Sequence, residues 1–199
     1  MTDSAQAHPF EIEPPELQER NTWAGARLLV SSTVFLFLPF LFGYVYLASL
    51  NTSGLWRPGH LHGPLGWGIA IQAAVVVSAG LVGWSRAELR NGDDDASRRL
   101  SLAALLAGVA AVVLQGFEYA NLGFGPTDGG FASVFVGWSG LFAVTVLGAM
   151  VWLEIIVAST FRNGSHAAGS SPADLDALGF YLTFLAGLGI FSFGFLYLI

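Results

Sequence analysis

Hydrophobic residues in this chain are gathered into five long runs separated by short polar segments. The runs cover approximately residues 28–50, 66–85, 100–124, 131–161 and 177–199. Each run reaches the roughly 20 residues that a helix needs to cross about 30 Å of hydrocarbon. Because lipid offers the backbone no hydrogen-bonding partner, runs of this kind form helices. The pattern therefore predicts an all-α membrane protein, a bundle of five transmembrane helices.

The composition excludes several other classes of protein. Only 11% of the residues are charged, whereas a soluble domain usually has about 25%. Cysteine is absent, which excludes disulfides, thiolate metal sites and cysteine nucleophiles. All cationic residues are arginine, and they form no basic surface of the kind that binds nucleic acid.

The positions of the arginines indicate an orientation in the membrane. With five crossings, one side of the membrane receives the arginines at positions 20, 27, 86, 90, 98, 99 and 162, and the other side receives only Arg57. Because short arginine-rich loops stay in the cytoplasm, we expect a cytoplasmic N-terminus and a C-terminus outside. The acidic, proline-containing residues 1–22 predict a flexible cytoplasmic tail before a membrane domain of residues 23–199. We expect residues 86–99 to be a solvated connector and residues 163–174 a flexible loop.

Three polar residues share one helix face near the end of the third hydrophobic run. Gln115, Glu118 and Tyr119 stand at positions i, i+3 and i+4. Glu118 lies about 9 Å from the end of the run near Phe124, at 1.5 Å per residue, and a carboxyl group at that depth needs a partner. The pattern fits an interhelical hydrogen-bond clasp or a proton-handling carboxyl. A metal or haem ligand is disfavoured because no histidine lies in any run.

Glu154 is the second acid inside a hydrophobic run. It lies roughly two helical turns from the end marked by Arg162. An ion pair with Arg86 or Arg98 on a neighbouring helix would satisfy its charge, and a proton entry site is the alternative. Small residues at helical spacing, such as Ala104 and Gly108, also predict close contact between helices.

The histidines do not indicate a metal site. His60 and His62, in the stretch RPGHLHGP, are two residues apart in a Pro/Gly-rich loop, and no third ligand is evident nearby. We expect both to be ordinary residues of a loop outside the membrane. The sequence also shows no nucleophile–base pairing, so it predicts no catalytic centre.

The stretch LQGFEYANLGFGPTDGGFASVF, residues 114–135, resembles a motif of haem-copper oxidase subunit III (cytochrome c oxidase subunit 3). In that family Leu-Gln-x-x-Glu-Tyr is followed, after eight residues, by Asp-Gly-x-aromatic-x-Ser-x-Phe. The matching residues here are Leu114, Gln115, Glu118, Tyr119, Asp128, Gly129, Phe131, Ser133 and Phe135. Two further stretches are similar to other helices of the family, namely LLVSSTVFLFLPFLFGYVYLAS and TFLAGLGIFSFGFLYL. In the second stretch, the residues that match the family are Phe184, Phe191, Phe193, Tyr197 and Leu198. The similarity extends from about residue 27 to 199 and implies the five-helix form of the family.

The chain departs from the family pattern at several polar positions. Thr33 stands where the family has a membrane glutamate. The His-Gly-x-His of the fourth helix reads Ser139, Gly140, Leu141 and Phe142, and the His, Asp and Trp positions of the last helix hold Thr183, Ala186 and Gly189. The resemblance is therefore to a divergent member, and it leaves any part in proton uptake open.

The resemblance implies an accessory subunit of a respiratory terminal oxidase in a bacterial cell membrane. Such subunits bind no haem or copper, pack against the catalytic subunit I that holds both, bind lipids, and support turnover in aerobic electron transport. We therefore expect no redox cofactor in this chain, and phospholipid is the ligand that the resemblance leaves open. Gln115, Glu118, Tyr119 and Asp128 are the expected polar clasp. An accessory subunit of a nitric oxide reductase system is the alternative; a free-standing transporter fits less well because five helices give no even repeat.

Overall fold

The computed structural model describes residues 14–51, 54, 56–163 and 172–199, and it consists of five long helices. These are α1 (Pro15–Ser49), α2 (Leu65–Arg90), α3 (Asp94–Ala120), α4 (Gly130–Asn163) and α5 (Pro172–Phe193), which a wider helical turn, Gly194–Leu198, extends. All five are long and apolar enough to cross a membrane, and the described part of the chain contains no β-strand. The prediction of a five-helix, all-α, multi-pass membrane protein is confirmed.

The first helix begins earlier than the hydrophobic pattern predicted. It starts at Pro15, so residues 15–22 are helical, whereas we expected a flexible tail. Proline suits the first position of a helix, where its missing N–H needs no partner, and the glutamate, leucine, glutamine and arginine that follow favour a helix. Residues 1–13 of the predicted tail, and most of the predicted loop 163–174, lie outside the described residues.

The predicted connector of residues 86–99 is also shorter than expected. Helix α2 continues to Arg90, and α3 already begins at Asp94. Asp93 caps α3, because its Oδ1 accepts a hydrogen bond of 2.8 Å from the Ala96 N–H. Gly92, with φ 85°, reverses the chain between the two helices, a conformation that favours glycine.

The five helices pack as a ring whose two members α4 and α5 also contact each other. Going round the ring, α1 packs on α4, α4 on α3, α3 on α2, α2 on α5, and α5 on α1. The hydrophobic spans of α4 and α5 bury the largest share of their residues, and the span of α1 buries the smallest. Side chains directed from α3 towards α4 and α5 therefore reach the middle of the bundle.

Small and polar side chains form the buried face of α3. Its buried residues are Ser97, Ser101, Ala104, Gly108, Ala111, Gln115 and Glu118, three or four positions apart. The Ser78 hydroxyl of α2 donates to the Ala104 carbonyl at 2.8 Å, and a Cβ on Gly108 would lie 2.0 Å from the Met150 Sδ of α4. The predicted close packing at Ala104 and Gly108 is confirmed, and the same face carries Glu118 into the interior.

The bundle has two ends of different character. We call the end with Arg86, Arg90, Arg98 and Arg99 the arginine end, and the opposite end the Glu118 end. At the arginine end, Asp176 of α5 pairs with Arg86 at 2.6 Å and with Arg90 at 3.1 Å. At the Glu118 end, aromatic rings pack on one another around Trp56, Phe131 and Phe135.

Candidate functional site

Glu118 is the fully buried centre of a hydrogen-bonded group. It is 0% exposed. The Gln115 side-chain amide, one turn earlier on the same face of α3, donates to Glu118 Oε2. The Tyr197 hydroxyl, from the last turn of the chain, donates to Glu118 Oε1 at 2.6 Å. Each carboxyl oxygen thus accepts from one neutral donor, and no arginine in the described part of the chain pairs with this carboxyl.

Tyr119 bonds to a different helix from the one that Glu118 contacts. Its hydroxyl lies 2.8 Å from the Ser139 hydroxyl and donates to the Val136 carbonyl at 3.0 Å, both on α4. One residue advances a helix by about 100°, so adjacent side chains cannot point the same way. The expected group of Gln115, Glu118 and Tyr119 is therefore divided: Glu118 connects α3 to α5, and Tyr119 connects α3 to α4.

Tyr197 is the partner of Glu118 that sequence reasoning did not find. Its ring lies against two glycines, because a Cβ on Gly68 would be 2.6 Å from Tyr197 Cε1 and a Cβ on Gly63 would be 3.0 Å from Cδ1. Tyr197 is one of the residues that match the family motif, and this match was the only sign in the sequence that the residue has a role. The motif did not indicate which residue the hydroxyl would reach.

Asp128 is not part of the buried group. It is exposed, and its Oδ2 accepts a hydrogen bond of 2.7 Å from the Gly125 N–H. The Asp128 N–H donates in turn to the Gly125 carbonyl at 3.2 Å. Asp128 therefore closes the turn that leads into α4 and fixes the loop beside the Glu118 end.

The structure does not contain the expected ion pair of Glu154 with Arg86 or Arg98. Glu154 is exposed on α4, while Arg86 pairs with Asp176 at 2.6 Å. Arg98 lies 3.9 Å from the Asp95 carboxylate and 5.1 Å from the centre of the Phe161 ring. The prediction is wrong because Glu154 lies on the outward face of its helix, between other exposed residues such as Val151 and Ile155.

The polar residues at two positions where the chain departs from the family motif have hydrogen-bond partners. Thr33 is buried, donates to the Leu29 carbonyl at 2.8 Å, and lies 3.1 Å from the Tyr181 hydroxyl of α5. Thr183 donates to the Gly179 carbonyl at 2.7 Å. These small hydroxyl groups therefore join helices or close a helical turn at positions where the motif has larger ionisable groups.

The described residues offer no evident reactive centre. No group of three or more histidine, aspartate or glutamate side chains among them could hold a metal ion, and His62 is exposed. Each oxygen of the Glu118 carboxyl accepts a hydrogen bond from a side chain of the protein itself. The arrangement is suited to holding α3, α4 and α5 in register, and a clasp remains our prediction for Glu118.

Comparison with known proteins gives a consistent result. A sequence model of the family described as cytochrome c oxidase subunit III matches residues 18–198. A cytochrome c oxidase subunit 3 of Rhipicephalus sanguineus is 26% identical over 179 residues, which cover 87% of this chain and 68% of that protein. A cytochrome c oxidase subunit 3 of Pylaiella littoralis is 26% identical over 176 residues, which cover 85% of this chain and 63% of that protein.

The chain thus matches between 63% and 68% of the length of these two relatives. The family model, in contrast, matches almost all of the chain, including all five helices and the Glu118 group. The resemblance predicted from residues 114–135 is confirmed. This chain belongs to the cytochrome c oxidase subunit III family.

Proposed function

We propose that this protein is a non-redox accessory subunit of a haem-copper terminal oxidase, where it supports assembly and turnover of the catalytic subunit. The observation that carries the proposal is the match of residues 18–198 to the subunit III family. The names of both relatives, cytochrome c oxidase subunit 3, favour an oxidase over a nitric oxide reductase as the complex in which the chain works.

The residue chemistry of the chain supports a role without its own redox centre. Haem and copper sites in proteins are built mainly from histidine, cysteine and methionine side chains. This chain has no cysteine, and its histidines, at positions 8, 60, 62 and 166, all lie outside the five hydrophobic runs of the sequence. We therefore assign the haem and copper of the complex to the partner subunit.

The surface of the chain also supports association within the membrane. Helix α1 buries only Ala26, Thr33, Phe37 and Tyr44 inside the chain. It exposes large apolar side chains along its length, among them Phe35 at 71% and Phe42 at 70%. Such a surface suits contact with lipid or with another membrane subunit, and either occupant is compatible with an accessory subunit.

Purification from the native membrane tests the proposal. A tagged copy should recover a larger haem protein that consumes oxygen, and deletion of the gene should lower oxygen consumption by the membranes. The same tag on an unrelated multi-pass protein of that membrane is the control. Consumption of nitric oxide instead of oxygen by the recovered complex would favour the alternative. A colourless homo-oligomer whose deletion leaves respiration unchanged would contradict both.

A further inference from the structure

A small chamber with both polar and apolar lining lies between the helices, next to the Glu118 group. It is partly open, it is lined by residues of α2, α3, α4 and α5 and of the final turn, and its volume is about 30 Å³. Its polar lining comprises Gln72, Gln115, Ser139, Ser192 and Tyr197. A buried water needs roughly 10–15 Å³ of such space and two to four polar partners, so both the size and the lining suit water.

Two carboxamide groups at this chamber use only part of their hydrogen-bonding capacity. Gln72 Nε2 donates to the Ala186 carbonyl of α5 at 3.0 Å, and Gln115 Nε2 donates to Glu118. The Oε1 atoms of both glutamines accept no hydrogen bond from the described residues. Gln115 is only 4% exposed, and a carbonyl oxygen at this depth in a membrane has no bulk water to bond, so a donor in the chamber would satisfy it.

Rotation of the Gln115 amide would not supply that donor. With Glu118 ionised, it would place Gln115 Oε1 against the carboxylate oxygen Oε2, and two acceptors would then face each other. An ionised Glu118 therefore favours the orientation with Nε2 towards the acid, which leaves the carbonyl oxygen of Gln115, a residue of the chamber wall, unused.

A neighbouring void provides an internal comparison. It is lined by Val75, Ala111, Val112 and Val146 together with parts of the chamber wall, and it leaves no space for a water molecule, about 0 Å³. Space for a water molecule therefore occurs at the level of Gln72 and Gln115, and it is absent from the neighbouring void beside Val75 and Val146.

Gly189 makes the approach of Gln72 to α5 possible. A Cβ at this position would lie 2.2 Å from Gln72 Oε1 and 2.7 Å from Phe142 Cζ, so any side chain would displace the amide. Gly187, two residues earlier on the same helix, has no atom within 4 Å of the position that a Cβ would occupy. The two glycines therefore form a matched pair for substitution.

We propose that this chamber binds one or two water molecules, which donate to the amide oxygens of Gln72 and Gln115. Such water joins α2 to the group formed by Glu118 and Tyr197, so that α2, α3 and α5 share one hydrogen-bonded network. A water that makes about three hydrogen bonds is a structural part of a protein. The proposal rests on the chamber alone and does not depend on the identity of the partner subunit.

The first experiment measures contact with water in the intact protein. Glutamine occurs only at positions 6, 18, 72 and 115, so ¹⁵N-glutamine labelling gives few side-chain signals in solid-state NMR of the chain in bilayers. We expect polarisation transfer from water to the Gln72 and Gln115 amides several-fold above that to the Val75 methyl groups. The proposal would be overturned if Gln18 received polarisation from water while the Gln72 and Gln115 amides received no more than the Val75 methyl groups.

Substitution of the matched glycines sharpens this measurement. Gly189→Ala should reduce the transfer at Gln115 to the level of Val75, and Gly187→Ala should leave it unchanged. A folded Gly189→Ala protein that keeps the full transfer at Gln115 would contradict the shared water. Should this variant fail to fold, a high-resolution structure of the unaltered protein decides: we expect ordered density within about 3 Å of both amide oxygens, and amides bonded directly to each other would overturn the proposal.

Discussion

Helix α5 is held at its two ends by interactions of different kinds. At the arginine end, Asp176 pairs with Arg86 and Arg90, whose side chains are 25% and 67% exposed. At the Glu118 end, the Tyr197 hydroxyl donates to a carboxyl that is 0% exposed. Exposed ion pairs contribute at most about 1 kcal/mol, whereas a buried polar group that loses its partner costs about 1–3 kcal/mol. The more highly charged contact is therefore expected to be the weaker one.

The largest effect should come from replacing Glu118 with an apolar residue. Glu118→Leu leaves the buried donor of Gln115 and the partly buried donor of Tyr197 without an acceptor, at a cost of up to about 1–3 kcal/mol for each. We expect a clear fall in the melting temperature of the purified protein and in the yield of assembled complex. Glu118→Gln keeps the shape and an acceptor, and it should change both quantities little. A complex that is fully assembled with Glu118→Gln but no longer turns over would indicate a proton role for the carboxyl.

A pair of substitutions compares the two ends directly. Tyr197→Phe removes one buried hydrogen bond and should destabilise the protein by about 1 kcal/mol at any salt concentration. Asp176→Asn removes partly exposed ion pairs, and it should cost less than about 1 kcal/mol, with the difference from the unaltered protein shrinking as salt is added. Melting temperatures at low and high salt provide the test, with Tyr46→Phe on the exposed surface of α1 as the control. A salt-dependent effect of Tyr197→Phe would contradict the distinction.

The smallest perturbation tests which end faces the cytoplasm. Because the chain has no cysteine, single cysteines can be introduced at the exposed positions Asn91, at the arginine end, and Thr127, at the Glu118 end. Neither should change stability. In intact cells, a membrane-impermeant thiol reagent should modify Thr127→Cys and spare Asn91→Cys, as expected when arginine-rich loops stay inside. The reverse labelling would place the arginine end outside.

The sequence was sufficient to predict the helices but not their ends. Five apolar runs of spanning length have no stable alternative to helices in lipid, so their number and type followed directly. Hydropathy alone cannot show that a polar segment continues a helix, and residues 15–22 and Arg86–Arg90 were therefore assigned to a tail and a connector. The cap at Asp93 is a local signal that would have corrected the second of these.

The candidate site was predictable only in part because its contacts are distant in sequence. Helical spacing identified Gln115 and Glu118, which lie three residues apart. The contact between Glu118 and Tyr197 joins residues separated by 79 positions, and spacing carries no information about such a pair. Glu154 was assigned a partner wrongly for the same reason, since its run is apolar on all sides and does not reveal which face is buried. Ser139 and Gly189 could be recognised only as departures from a motif, not as walls of a chamber.

The order of the helices along the chain has a consequence for biosynthesis. Chains are made from the N-terminus at about 5–20 residues per second, so Tyr197 follows Glu118 by roughly 4–16 seconds and Asp176 follows Arg86 by a similar interval. During that interval the nascent four-helix chain holds a membrane carboxyl and an arginine that lack the partners α5 supplies. Unpartnered polar groups of this kind are costly in a bilayer, so the four-helix intermediate is less stable than the finished bundle. Ribosomes that stall before α5 should therefore release a product that the cell removes quickly.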